Sequence, residues 1–116
     1  MSAVARIAAE FVGHPTVPAE EKWHMVFDAA LEAERIKEQM CFGFAACTES
    51  GTTSRWPLIL RPASPGTKEW VLDWGSDGEP PQRTNVNEKN IRAGELFTVW
   101  HDSHEMIYRI TQVNEL

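Results

Sequence analysis

At 116 residues, with 42% apolar and 24% charged side chains, the chain has the size and composition of a single globular domain over 1–116, outside the disordered and fibrous classes. Its formal charge of −6 opposes a phosphate backbone, and Arg55, Arg61, Arg83, Lys89 and Arg92 are dispersed along it, so a nucleic-acid partner is not expected. No apolar run reaches the ~20 residues that span a bilayer, and Met1 to Gly13 lacks a signal-peptide core, so the chain reads as cytoplasmic with no membrane partner.

The N-terminal third carries helical spacing. Ala3, Val4, Ile7, Ala8, Phe11 and Val12 share one helical face, and Gly13-His14-Pro15 supplies a stop. Thr16-Val17-Pro18 then opens a second, long helix, with Glu20 and Glu21 at its positive end. Its buried stripe is Trp23, Val26, Phe27, Ala30, Ala33, Ile36 or Lys37, and Met40.

From Cys41 the period becomes two. Phe42, Phe44 and Ala46 point one way, while Cys41, Gly43, Ala45 and Cys47 form a small-residue face on which the long helix is expected to lie. Six residues apart on one strand, the two cysteines are too distant to bridge, so both are expected reduced and buried. Thr53 to Arg61 follows with Trp56, Leu58 and Leu60 on a common face, and Pro57, which lacks a ladder donor, marks an edge or a bulge. Trp70, Leu72 and Trp74 alternate in a third strand. Gly75 to Asn90 is a long polar connection, with a short edge segment at Thr84 to Val86.

Glu95 to His101 and Glu105 to Val113 form a hairpin of ambiguous register. A two-residue turn at Ser103-His104 pairs Val99 with Tyr108 and Phe97 with Ile110, on a face that also carries His101 and Met106; a three-residue turn instead gathers Trp100, Met106, Tyr108 and Ile110. His101, Asp102, His104 and Glu105 are the densest group of potential metal ligands, but they match no ligand motif, and a polar turn is the preferred reading, so no metal is expected. Asp73, Asp77, Gly78 and Glu79 fail as a calcium loop because the twelfth position is Thr84.

The expected fold is α+β: two N-terminal helices, the second long, on a twisted, mostly antiparallel sheet of about five strands that can curl toward a barrel. No catalytic residue and no cofactor is indicated. The leading functional expectation is a small acidic protein-interaction domain engaging another protein or a second copy of itself. The alternative is a small-molecule-binding or enzymatic domain with a cleft between helix and sheet. Trp70, Trp74, Trp100, His101 and Tyr108 are the candidate binding residues under these readings.

Overall fold

Every second residue is buried from the first strand onward: Ala5, Ile7 and Ala9, then Met25, Phe27 and Ala29. Side chains that alternate between two environments belong to strands, not helices. In the computed structural model, which describes residues 3–13, 22–75, 80–101 and 104–116, Ala3–Gly13 is strand β1 and Lys22–Glu32 is β2. The expected α+β fold is therefore corrected to a closed antiparallel barrel of eight strands, with 69% strand and no α-helix among the described residues. The expected helix opening at Thr16-Val17-Pro18 falls outside the described residues.

The remaining strands are β3 (Arg35–Ile36), β4 (Cys41–Glu49), β5 (Thr52–Pro62), β6 (Trp70–Asp73), β7 (Gln82–Thr84), β8 (Leu96–His101) and β9 (His104–Glu115). Each wall strand pairs with the next along the chain, and β1 pairs with both β2 and β9, which closes the cylinder. The two-residue β3 only folds back alongside the end of β2 through a turn at Ala33 and Glu34, both at positive φ as a tight hairpin requires. Register shifts in the β1–β9 ladder, between Ala8 and Ala9 and between Phe11 and Gly13, bend the sheet where it closes.

Eight strands enclose a space that side chains can fill. Phe27, Phe97, Met25, Leu60, Leu72 and Ile110 fill it. One end is stoppered by Val86 and Ile91, and the Ile91 N–H donates to the Glu34 carbonyl at 2.7 Å, tying this segment under the β2–β3 turn. The small face of β4 is explained here as well. Cys41, Ala45 and Cys47 point inward, where the interior is occupied by the large side chains of other strands rather than by a helix. At Gly43 the β2 backbone comes so close that an added Cβ would overlap the Val26 carbonyl oxygen and lie 2.6 Å from Phe27 Cα.

Pro57 does sit where its missing donor does no harm. The β6 ladder begins only at Ile59, so the preceding part of β5 is paired on its β4 side alone. The last hairpin is shifted from the expected pairings: His101 faces His104, Val99 faces Met106 and Phe97 faces Tyr108. The face holding Phe97, Val99, Met106, Tyr108 and Ile110 is the one expected from the shorter turn, slid along the hairpin, and Trp100 is left on the outside.

Candidate functional site: the outer face of β2, β4 and β5

The five residues singled out from the sequence do not converge. Trp70 is 3% exposed and belongs to the core. Tyr108 is also core: its ring stacks on Phe97 at 5.6 Å and meets the edge of Phe11 at 5.7 Å, and burial, aided by nearby Cys47, pushes its hydroxyl up to about 12. Trp74 packs partly buried against the core at the end opposite the Val86 stopper. Trp100 lies on the outer wall with the Arg83 guanidinium 4.3 Å from its ring centre. His101 is exposed at the end of β8, its Nδ1 hydrogen-bonded to the side-chain amide of Gln82. The expected cleft between helix and sheet has no helix to form it. Among the described residues, no group of three or more His, Cys, Asp and Glu side chains could hold a metal ion.

A different set does form one surface. In an antiparallel ladder, directly opposed residues share a face, so the register maps the outside of the barrel row by row. Ala8, Val26, Phe44 and Pro57 make one row across β1, β2, β4 and β5. Arg6, Asp28, Phe42 and Ile59 make the next. Val4 and Ala30 pair in the row beyond, with Met40 at the approach to β4. Phe42 is 59% exposed, Met40 57% and Val4 49%. A barrel wall with a filled interior ordinarily turns polar side chains to water, so a contiguous apolar field on its outside marks a surface held for contact.

Two arginines of this face are paired within it and a third is not. Arg6 grips Asp28 with two hydrogen bonds of 2.9 and 3.1 Å, and the guanidinium holds the Asp28 carboxyl below its ordinary range. Arg61 contacts Asp73 at 3.0 Å; the Asp73 carboxyl is lowered first by the Gly75 N–H and then by Arg61. The exposed Arg55 guanidinium sits 5.1 Å from the centre of the Phe44 ring and keeps its charge beside it.

The sequence carried one trace of this surface: bulky Phe42 and Phe44 alternate against a face of Cys, Gly and Ala. The small residues face the crowded interior, so the large ones face out. Trp23 and Trp56 were also not placed together by sequence; they stack at 5.2 Å with their planes 22° apart, diagonally across β4, where Trp23 opposes Cys47 and Trp56 opposes Ala45. Two open hollows lie elsewhere on the barrel: one of about 610 Å³ between Glu10, His24 and Gln112, the other of about 500 Å³ between Lys68, Arg83, Glu88 and Trp100. No helix among the described residues is long and apolar enough to cross a membrane. No family model, no curated protein and no solved structure matches the chain.

Proposed function

We propose that this chain is a protein-docking domain whose working surface is the outer face of β2, β4 and β5, extended by Val4 and Ala8 of β1. The observation that carries this reading is Phe42, 59% exposed in register with Val26, Phe44 and Ile59 on a barrel whose core is already filled. Apolar side chains that the fold does not need inside, gathered in one field and framed by the Arg6–Asp28 and Arg61–Asp73 pairs, have the anatomy of an interface centre and rim.

Two features support how this surface works. Across this face β1, β2, β4 and β5 are hydrogen-bonded to one another, so a partner lying on it recognises side chains rather than backbone. The barrel is apolar inside and carries ion pairs such as Arg6–Asp28 and Glu10–Arg109 outside, the reverse of a membrane-spanning barrel, which suits a domain surrounded by water. The buried thiols of Cys41 and Cys47, not joined in a disulfide, fit a reducing compartment such as the cytoplasm.

The test is a photo-crosslinker. Phe42→benzoylphenylalanine should form a covalent protein adduct in the cell, the same probe at Glu105 on the outside of β9 should not, and adding Ile59→Lys should abolish the adduct. Crosslinking that is equal at both positions, or that survives Ile59→Lys, would refute the reading.

A further inference from the structure

Given that docking reading, on which this step rests, we infer that the partner is a protein segment that sets a carboxylate against Arg55 while its own apolar side chains cover Phe42 and Phe44.

Charge left over on the face is the first argument. The row beside Phe44 carries Glu10, His24, Ala46 and Arg55 on β1, β2, β4 and β5, and the next row carries Lys22, Thr48 and Thr53. The carboxylates around the phenylalanines are engaged: Asp28 by Arg6, Asp73 by Arg61, and Glu10 by Arg109 at 3.6 Å. Arg55 and Lys22 are exposed, and neither has an ion-pair partner among the described residues. With 17 acidic against 11 basic side chains, an average patch of this chain would leave carboxylates over. This one leaves cations, which a partner's acidic side chain complements.

Geometry is the second. The Arg55 guanidinium lies 5.1 Å from the centre of the Phe44 ring, so whatever covers that ring also covers the charge. A wholly apolar partner would strand an unpaired cation in the contact, a cost that a carboxylate removes. Attraction to the ring orients the guanidinium without consuming its N–H donors, and these make no hydrogen bond among the described residues. Its planar fork therefore remains available to both oxygens of one carboxylate. Two cations on a chain of charge −6 suit one or two such groups, whereas the continuous charge of a phosphate backbone or an anionic bilayer would be repelled by the chain as a whole.

Selection of a random-peptide phage library on the purified full chain decides it. Enriched peptides should combine Asp or Glu with bulky apolar residues, and should be lost on Phe42→Ala. With Arg55→Glu as the target, the acidic position should give way to Lys or Arg. Arg83→Glu, which removes the guanidinium over Trp100 on another part of the wall, should leave the selected sequences unchanged. For one selected peptide made synthetically, Arg55→Ala should weaken binding about 10-fold, and Arg55→Lys, which keeps the charge and loses the fork, should fall between. Raising salt from about 50 to 500 mM should weaken it several-fold by screening. Peptides that depend on Phe42 but carry no acidic residue, or that ignore Arg55→Glu, overturn the partner's chemistry and leave the docking reading standing. Peptides that bind Phe42→Ala as well as the wild type, or a library that yields none, overturn both.

Discussion

Replacing Gly43 by alanine should be among the most damaging single-atom additions this barrel can receive. The new Cβ would overlap the Val26 carbonyl oxygen and lie 2.6 Å from Cα and 2.8 Å from Cβ of Phe27, atoms of the β2 backbone or its root that cannot swing away as a side-chain tip would. Restoring van der Waals contact requires β2 and β4 to separate by about 1 Å, which stretches the ladder around Val26–Phe44, Phe27–Gly43 and Asp28–Phe42. Losing two or three such hydrogen bonds at ~1 kcal/mol each, together with an overpacking strain of ~1–3 kcal/mol, puts the loss at about 3–6 kcal/mol, a large part of the ~5–15 kcal/mol that holds a domain together. The internal standard is Gly51→Ala, where φ is +78° and nothing lies within 4 Å of the added atom, so only left-handed backbone strain of ~1–2 kcal/mol is expected. Urea unfolding followed by tryptophan fluorescence reports both. A Gly43→Ala midpoint shift no larger than that of Gly51→Ala would refute the closeness of β2 to β4, and with it the way the barrel bends there.

The tryptophans separate in the same assay: Trp70→Ala should lose ~3–5 kcal/mol as a buried ring is removed, whereas Trp100→Ala, on the outer wall beneath Arg83, should lose about 1 kcal/mol or less, and equal losses would contradict their placement on opposite sides. Asp28 and Asp73 have depressed folded-state values, so their contribution is present above the ordinary carboxylate pKa and is lost as pH falls through the lower folded value; Asp73→Asn should flatten the decline of the urea midpoint below about pH 4, and an unchanged slope would refute the pairing. Burial raises Cys41 and Tyr108 to about 12, so the folded chain holds their protons after the unfolded chain has released its own; stability should be full below about pH 9 and decline as pH rises toward 12, with Cys41→Ala starting its decline nearer pH 10. Reagents for free thiols should label Cys41 only on unfolding, and rapid native labelling would contradict its burial.

The alternation of β5, β6, β8 and β9 was legible in the sequence because their inward positions are apolar and their outward ones largely are not, and that of β4 because small inward residues alternate with bulky Phe42 and Phe44. The strands β1 and β2 were read as helices for a physical reason. Their outward positions Val4, Ala8, Val26 and Ala30 are apolar too, and merging them with the inward Ile7, Phe11, Trp23 and Phe27 produces steps of three and four that imitate a helical stripe. Alanine and glutamate favour helix locally, yet long-range pairing with β4 and β9 overrides that preference. The residues that concealed the strands are thus part of the candidate docking face. The named tryptophans were a poorer guide, because aromatic size marks both core and interface, and only register distinguishes inward Trp70 from outward Trp100. The slide of the last hairpin turns on where the chain reverses, which the polar run Asp102-Ser103-His104 does not dictate by composition.

The measurement that bears most directly on the docking face is hydroxyl-radical footprinting of the wild-type chain, purified and dilute and again within its cells, with site-resolved mass spectrometry. Met40 and Phe42 are exposed and reactive in the single chain, whereas Met25 is fully buried and serves as the unreactive standard. The account predicts strong modification of Met40 and Phe42 in the purified chain, several-fold protection of both in the cell, and no change at Trp100. Protection centred on Trp100 or on the Trp23–Trp56 stack, with Met40 and Phe42 equally reactive in both settings, would contradict it.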